Sequence, residues 1–259
     1  MEAGHLVNVM RIIIYAAGVS RRLQTIAGNG LKGLLELNGK RIIEYQLDWS
    51  SKLPVSEIII VIGLEHELYK EILGDNYNGI PLVYIYNPDY KDKGNMLSLW
   101  YAQEFCDKET IFTTSDLVCN QKDIAKFINA KADNKILIDN KNLDLFKDPD
   151  PVKVTINNGR ILNILKNQNN LARVDGVAVG LYYFSYKGIR CIIDSIDKKI
   201  RSGNDNMSLY YAIDDILIDN IVQPVFSDES DWVDIDTPDD LNNARNMLIN
   251  YNKFNKELL

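Results

Sequence analysis

The residues best suited to phosphate chemistry follow an apolar run at Val9–Tyr15 that has the length of a buried strand. The run leads into a loop that contains Ala16, Ala17, Gly18, Arg21, Arg22 and Lys32. Small side chains leave backbone N–H groups open to phosphate oxygens, and cations neutralise the remaining charge, as a nucleoside triphosphate requires. An ordinary basic connection between a strand and a helix explains the same residues equally well, because short glycine motifs are common.

Three aspartates lie where predicted strands end. Asp116 follows a short strand predicted at 110–113, and Asp234 and Asp236 belong to an apolar segment around 232–235. Side chains two residues apart on an extended segment share one face, so Asp234 and Asp236 can act together. An isolated aspartate after a strand is more often a turn or capping residue, and this reading stays open for Asp116.

The elements that must position these residues alternate between strands and helices. Strands are predicted at 9–15, 58–62, 82–86, 110–113 and 135–139, and helices at 41–51, 65–73, 96–105 and 121–130. This alternation is typical of an α/β protein with a mainly parallel sheet and helices on both faces. Ligands of such sheets bind beyond the carboxyl ends of the strands. We therefore expect the loop 16–32, the polar loop 87–95 and Asp116 to share one rim.

The pattern changes after residue 141. Alternating apolar and polar residues on both sides of the turn Asn157-Asn158-Gly159 predict a β-hairpin over about 152–165. A strand at 177–184, helices at about 187–202 and 207–219, and strands at 222–226 and 232–235 are predicted after it. A last helix is predicted to begin with Thr237 as its N-cap and Pro238 in its first turn, with Asp239 and Asp240 as capping acids. We expect one domain over 10–250, with 141–185 supplying an inserted hairpin lid and its following strand. Residues 1–9 are expected to be an extension and 251–259 a tail.

The composition excludes several classes of protein. The 259 residues carry a net charge of −7 and have a pI near 5.0, which argues against a general nucleic-acid binder. No stretch approaches the roughly 18 apolar residues of a membrane span, and the first residues do not resemble a signal peptide. Three widely spaced cysteines suit reduced thiols in a cytoplasmic protein. With only two histidines, a Ser-His-Asp mechanism is disfavoured.

Five stretches, taken in order, resemble the cytidylyltransferase branch of the nucleotidyltransferase superfamily. They are AAGVSRRL (16–23) with LKGLLELNGK (31–40), NPDYKDKGNMLSLWYA (87–102), TSDL (114–117), PVKVTINNGRILNILKN (151–167) with DGVAVGLYYFS (175–185), and WVDIDTPDDLNNA (232–244). The branch is typified by phosphocholine and phosphonate cytidylyltransferases, with inositol-1-phosphate cytidylyltransferases close by. Ser20, Arg21 and Leu31 depart from the usual glycine, small hydroxyl residue and proline of the family, but they leave backbone amides and cations available.

The resemblance implies a Rossmann-like nucleotidyltransferase fold and transfer of CMP from CTP to a small phosphorylated alcohol or a phosphonate, with release of pyrophosphate. It also implies that Asp116 and Asp236 hold Mg²⁺, with Asp234 replacing or assisting Asp236. Arg22 and Lys32 would then stabilise the charge on the triphosphate, with Arg21 beside them.

In the same interpretation, the backbone of Ala16, Ala17 and Gly18 would meet the base and ribose. Asn95 and Ser98 would contact the nucleotide, although Ser98 could equally be a residue of a helix N-terminus.

On the acceptor side, the alternation along the hairpin directs Lys153 away from the buried side of Val152 and Val154, which makes it the candidate for gripping the phosphoryl group, with Lys166 and Arg173 as weaker candidates. No aromatic cage for a quaternary ammonium is evident around 140–175, and Lys153 would repel a cation, so an acceptor without positive charge, a phosphonate or a polyol phosphate, is expected to be better than phosphocholine. A zwitterion such as aminoethylphosphonate is the alternative if Asp148 or Asp150 meets its amine.

Other functions remain possible at this point. A sugar-1-phosphate or inositol-1-phosphate nucleotidyltransferase and a catalytically silent nucleotide-binding module both share the loop, although the silent module would not need Asp116 and Asp236. A dinucleotide-binding oxidoreductase is disfavoured, because Ser20 and Leu23 interrupt the Gly-x-Gly-x-x-Gly pattern. A homodimer is expected from the habits of the superfamily.

Overall fold

The structure is a computed structural model that describes residues 9–18, 21–23, 31–63, 65–166, 173–229 and 231–257, with the backbone alone for Arg21, His66 and 250–257. The strands are β1 (Met10–Ala16), β2 (Glu36–Leu37), β3 (Lys40–Arg41), β4 (Val55–Ile62), β5 (Asn76–Tyr77), β6 (Ile80–Tyr86), β7 (Thr110–Thr114), β8 (Leu117–Cys119), β9 (Asn134–Asp139), β10 (Lys153–Asn157), β11 (Arg160–Leu165), β12 (Gly176–Phe184), β13 (Gln223–Phe226) and β14 (Trp232–Asp234). The helices are α1 (Ile42–Ser50), α2 (His66–Leu73), α3 (Met96–Tyr101), α4 (Gln121–Asn129), α5 (Asp144–Lys147), α6 (Tyr186–Arg201), α7 (Leu209–Ile216) and α8 (Pro238–Glu257).

A ten-stranded sheet runs through the described part of the chain. Its order is β11-β10-β12-β7-β1-β4-β6-β5, with β9 paired to β12 and β13 paired to β9. β1 is parallel to β4 and β7, and β6 is parallel to β4, whereas β12 is antiparallel to β7. The predicted α/β class with a mainly parallel, mixed sheet is therefore confirmed. Since the central strands are parallel, Ala16 and Thr114 end at the same edge.

Both faces of the sheet are covered by helices, as the unbroken apolar run in β1 predicts. Ile12, Ile13 and Ile14 are all fully buried. Ile13 belongs to a core cluster that includes Ile189 of α6, while its two neighbours belong to the opposite cluster with Leu47 of α1. The alternation of side chains along one strand thus ties both helical layers to the same backbone.

The predicted hairpin forms, with Asn158 and Gly159 in the left-handed backbone conformation that its tight turn requires. It belongs to the main sheet, because β10 pairs with the first residues of β12. Its role as a lid stays a prediction.

The outer edge of the hairpin is covered. Ile161 donates its backbone N–H to the carbonyl of Val222 at 2.9 Å, and Ile164 donates to the carboxylate of Asp214 at 2.8 Å. Both N–H groups would otherwise be open to pairing with another chain. This edge of the sheet is therefore closed by α7 and by the segment that joins α7 to β13.

The predicted element boundaries agree with the structure to within about three residues, except that the helix predicted at 96–105 ends at Tyr101. The short elements β2, β3, β5, β8 and α5 were not predicted. The backbone of 251–257 continues α8, and the expected tail at 251–259 stays a prediction. Residues 1–8 of the expected extension and the loop residues 24–30 lie outside the described residues. No helix among those described has the length and apolar character needed to cross a membrane.

Phe112 of β7 offers a test of the packing on one face of the sheet. Its fully buried ring stacks on Tyr182 at 5.0 Å and on Phe184 at 5.7 Å between centroids. We expect Phe112→Ala to lower the free energy of unfolding by about 3–5 kcal/mol in urea denaturation. Ile218→Ala, at a side chain that is 80% exposed, should change it by no more than about 0.5 kcal/mol. Equal losses for the two variants would contradict this packing.

Candidate active site

The carboxyl end of β1 opens into a cavity of about 470 Å³, which we name the loop cavity. It is lined by Tyr15, Ala16, Ala17, Gly18, Arg22, Lys32, Tyr69, Asn95, Ser98, Thr114, Ser115, Asp116 and Asp236. A Cβ atom added at Gly18 would meet nothing within 4 Å, so the backbone there is open to a ligand. The sequence predicted a shared rim for these segments, and the structure brings them together in one cavity.

Lys32 lies at the centre of the charged groups in this cavity. Its ammonium contacts Oδ2 of Asp116 at 2.6 Å and Oδ1 of Asp236 at 2.5 Å. The guanidinium of Arg22 contacts the other oxygen of Asp236 at 2.7 Å. The Lys32 side chain is only 13% exposed, whereas that of Arg22 is 58% exposed. Two cations and two predicted metal carboxylates therefore form one chain of contacts.

A short strand pair that the sequence did not predict brings the aspartates together. β8 follows Asp116 directly and pairs antiparallel with β14, so that Asp234 lies opposite Leu117. The pairing continues as Ile235 donates its N–H to the carbonyl of Asp116 at 3.1 Å. Asp236 comes next, at the start of the turn that leads into α8.

The start of α8 fixes the backbone of Asp236. The carboxylate of Asp240 accepts hydrogen bonds from the N–H of Asp236 at 3.1 Å and from the N–H of Thr237 at 2.7 Å. Thr237 in turn accepts from the N–H of Asp240 at 3.2 Å, which confirms the predicted N-cap. Asp240 is thus a capping acid, as the sequence predicted.

The carboxylates differ in their affinity for protons. Burial alone would raise the pKa of Asp116, but the charge and hydrogen bond of Lys32 outweigh it and lower that pKa. Asp234 is exposed at the surface of a cavity, yet desolvation by the surrounding protein and the charge of Asp116 raise its pKa well above the ordinary value. Desolvation would lower the pKa of Lys32, but the three aspartates raise it instead. Lys32 is therefore a fixed positive charge.

The same carboxylates fit a hard cation that is shared with a ligand. Among the described residues no three His, Cys, Asp or Glu side chains form a ready-made metal cage. Mg²⁺ commonly uses one or two carboxylates and completes its shell with water and substrate phosphates. Oδ1 of Asp116 is buried without a hydrogen-bond partner, which leaves one oxygen in need of a positive ligand. Asp116 and Asp236 are the residues that would hold the ion.

A second cavity of about 660 Å³ adjoins the first, and we name it the hairpin cavity. Tyr15, Arg22, Asn95, Thr114 and Asp236 line both cavities. The hairpin cavity also contains four further carboxylates and a lysine, namely Asp148, Asp150, Asp234, Asp240 and Lys166. The rings of Tyr182, Tyr210 and Trp232 line it as well.

A family model matches the N-terminal half of the chain. Residues 12–143 of the 259 match the model described as the MobA-like NTP transferase domain. The chain belongs to this NTP transferase family. It is therefore a nucleotidyltransferase, as the five motifs predicted.

Curated relatives of this NTP transferase include cytidylyltransferases. The chain is 27% identical over 220 residues to the CTP:phosphoglutamine cytidylyltransferase of Campylobacter jejuni, covering 78% of this chain and 85% of the relative. It is 36% identical over 95 residues to the choline-phosphate cytidylyltransferase of Streptococcus pneumoniae, covering 37% of this chain but only 40% of that protein. A solved structure, described as the inositol-1-phosphate CTP transferase from T. maritima, has a TM-score of 0.75. At 19% identity over 93% of this chain and 95% of that one, it shows the fold alone.

Lys153 does not lie where the sequence predicted. We expected the alternation along β10 to direct it toward the acceptor, but the residue is only 5% exposed and does not line the hairpin cavity. Its ammonium donates to the backbone carbonyl of Asp148, five residues earlier in the chain. Lys166, at the end of the hairpin, does line the cavity, and it contacts Asp150 at 2.6 Å.

Three aromatic side chains line the hairpin cavity, and all of them come from outside 140–175: Tyr182 from β12, Tyr210 from α7 and Trp232 from β14. The sequence analysis considered only 140–175, where no aromatic cage is evident. Trp232 is held by a hydrogen bond from its indole N–H to the buried Asp139 at 2.8 Å. Local sequence patterns do not indicate this set, because the three residues lie on separate elements that only the tertiary structure brings to one cavity.

Asn95 and Ser98 line the loop cavity, but their side chains also have structural partners in this NTP transferase. Oδ1 of Asn95 accepts the N–H of Leu209 at 2.8 Å, at the start of α7. Ser98 is buried and accepts a hydrogen bond from Asn87 at 3.3 Å. The side chain of Arg21 lies outside the described residues, so its predicted role stays a prediction.

A substitution at Gly94 tests how the polar loop 87–95 packs against the segment before α7. A Cβ atom at this position would lie 1.7 Å from the carbonyl oxygen of Met207, which is backbone. We expect Gly94→Ala to destabilise the protein by about 1–3 kcal/mol in calorimetry, because the two segments must separate. Gly18→Ala, where the added atom meets open space, should keep the melting temperature of the unmodified protein. A fully stable Gly94→Ala variant would show that the two segments do not pack as described.

Proposed function

We propose that the protein is a magnesium-dependent cytidylyltransferase that transfers CMP from CTP to a small phosphate or phosphonate whose organic part carries an amine. The observation that carries the proposal is the meeting of two cavities at Arg22 and Asp236. A transferase needs two substrates in contact, and here the charged groups suited to phosphates line the boundary between two spaces. Holding both reactants there supplies the proximity on which phosphoryl chemistry depends.

In this proposal the loop cavity holds the nucleotide. The open backbone from Ala16 to Gly18 receives the base and ribose, and Arg22 and Lys32 hold the triphosphate. An oxygen of the acceptor attacks the α-phosphorus in line, the bond to the β-phosphate oxygen breaks, and pyrophosphate leaves with the electron pair. Lys32 stabilises the charge that develops on these oxygens. No general base is required, because the acceptor oxygen is already an anion.

Asp116 and Asp236 would hold Mg²⁺ together with the triphosphate. When bound, the ion would offset the charge of two anions that must approach each other. Asp234 opens into the hairpin cavity rather than the loop cavity, which favours Asp236 over Asp234 as the partner of Asp116.

The hairpin cavity supports an acceptor that carries both signs of charge. Its carboxylates outnumber its two basic side chains, Arg22 and Lys166, and aromatic rings lie beside them. Carboxylates and aromatic faces both attract an ammonium group. Arg22 and Lys166 suit the phosphoryl end. This replaces the acceptor without positive charge that the predicted position of Lys153 had favoured.

The names of the relatives support CTP as the donor and a phosphorylated or phosphonate acceptor. Besides the two cytidylyltransferases, a CMP-5'-(3-aminopropyl)phosphonate synthase of Streptomyces rubellomurinus is 29% identical over 109 residues, and the chain covers 17% of its length. A sugar-1-phosphate or inositol-1-phosphate acceptor is the second candidate. It is favoured less, because such a ligand offers no cation to the acidic side of the hairpin cavity.

The carboxylates give the first kinetic prediction. We expect Asp116→Ala to lower kcat by about two orders of magnitude or more, because one anchor of the metal is lost. Asp236→Asn should cost more in kcat than Asp234→Asn, whereas Asp234→Asn should act mainly on the KM of an amine-bearing acceptor. Steady-state assays of pyrophosphate release at saturating Mg²⁺ measure all three. A larger loss of kcat in Asp234→Asn than in Asp236→Asn would show that Asp234, and not Asp236, acts with Asp116.

The choice of acceptor gives the second kinetic prediction. A screen of pyrophosphate release should pair four nucleoside triphosphates with phosphocholine, aminoalkyl phosphates, aminoalkyl phosphonates, and polyol and sugar phosphates. We expect CTP with an amine-bearing acceptor to exceed every other pair. Lys166→Ala should raise the KM of that acceptor by about tenfold and leave the KM of CTP nearly unchanged. Preference for a polyol or sugar phosphate would support the second candidate, and activity with another triphosphate would reject CTP as the donor.

A further inference from the structure

The ammonium of Lys32 occupies the position between Asp116 and Asp236. It lies 2.6 Å from one carboxylate and 2.5 Å from the other, and the side chain is largely shielded from solvent. Lys32 begins the 3-10 turn Lys32–Leu34, and a Cβ atom at buried Gly33 would come within 2.8 Å of the Tyr69 hydroxyl. The backbone of this turn is therefore packed in place.

The two oxygens that Lys32 contacts are the ones that a bridging metal ion would need. An ammonium beside a divalent cation is strongly repelled at such separations, so the two cannot share Oδ2 of Asp116 and Oδ1 of Asp236. Arg22 contacts the remaining oxygen of Asp236, which leaves Oδ1 of Asp116 as the one oxygen of this pair without a partner among the described residues. One buried oxygen is a poor site for Mg²⁺, which prefers six ligands.

A triphosphate changes this balance. The oxygens of a triphosphate bound in the loop cavity would attract the Lys32 ammonium away from the carboxylates. They also supply ligands that the protein does not provide. The nucleotide thus removes the competing cation and completes the coordination shell in one event.

We infer that Lys32 excludes free metal ions from the site until a nucleotide binds, so that metal and nucleotide load together. The inference rests on the proposed function, since it takes the loop cavity to be the nucleotide site. It gives Lys32 a second role, because its ammonium competes with metal ions for the carboxylates when no nucleotide is bound. The alternative is that Lys32 is only a structural ion pair, in which case its removal would weaken the fold without strengthening metal binding.

The test uses Mn²⁺ as the probe, because its electron paramagnetic resonance signal falls when the ion binds. Titrations are made at mildly alkaline pH on the full chain, with and without α,β-methylene CTP, which cannot transfer CMP. For the unmodified protein we expect the nucleotide analogue to tighten Mn²⁺ binding by about tenfold or more beyond the affinity of the analogue alone. Equal Mn²⁺ affinity with and without the analogue would overturn the inference, and this arm needs no variant.

Lys32→Met keeps the alkyl chain and removes the charge. We expect it to bind free Mn²⁺ about tenfold more tightly than the unmodified protein and to lose most of the dependence on the analogue, while kcat falls. Tighter metal binding combined with slower turnover is a pair of effects that a structural ion pair does not produce. Lys32→Arg, which retains the charge, should bind free Mn²⁺ as weakly as the unmodified protein does. If Lys32→Met does not fold, the titration of the unmodified protein decides the inference.

Lys40→Met is the matched control, because Lys40 is half exposed and pairs with Asp48 away from both cavities. It should behave like the unmodified protein in every titration. Unchanged or weaker Mn²⁺ binding by folded Lys32→Met would overturn the inference. Failure of the proposed function looks different: neither the analogue nor CTP would bind, and no triphosphate would release pyrophosphate with any acceptor, whatever the Mn²⁺ affinity.

Discussion

The concentration of negative charge at one end of the sheet is the constraint on which this site depends. Asp116, Asp234 and Asp236 lie in a single cleft, and like charges a few ångströms apart repel by several kcal/mol even when the surroundings are polarisable. Lys32 and Arg22 offset that repulsion, and the β8–β14 pair holds the backbone against it. Ion pairs of this kind contribute little net stability, because their desolvation is costly. These ion pairs fix the positions of the charged side chains, and a site for phosphates requires such fixed positions.

Much of the fold followed from local patterns in the sequence. The apolar run of β1, the turn at Asn158-Gly159 and the Thr237 N-cap each contain enough information to fix their own structure, and all three formed as predicted. The rim of the site followed from a general property of parallel sheets, so the gathering of the segments around Gly18, Lys32 and Asp116 was also predictable.

The hairpin cavity could not be predicted in this way. Lys153 alternates with apolar neighbours, a pattern that indicates an exposed side chain on a hairpin with one free face. β10 instead joins the main sheet, and the carbonyl of Asp148 satisfies the buried ammonium. The aromatic wall depends on pairings between segments that are far apart in the chain. Asp139 and Trp232 are 93 residues apart, and no local sequence pattern in either segment predicts their hydrogen bond.

The polar loop 87–95 contacts the start of α7, and this contact limits which substitutions the protein can accept during evolution. Lys93, Gly94 and Asn95 contact residues 205–209, so a wall of one cavity and a wall of the other form a single mechanical unit. Under the proposed function, a substitution on this shared unit would shift the geometry of both substrates at once. Lys166, at the end of the hairpin, and Asp148, directly after α5, line the hairpin cavity but not the loop cavity. A new acceptor could then be accommodated by changes on the hairpin side while the proposed nucleotide cavity stays as it is.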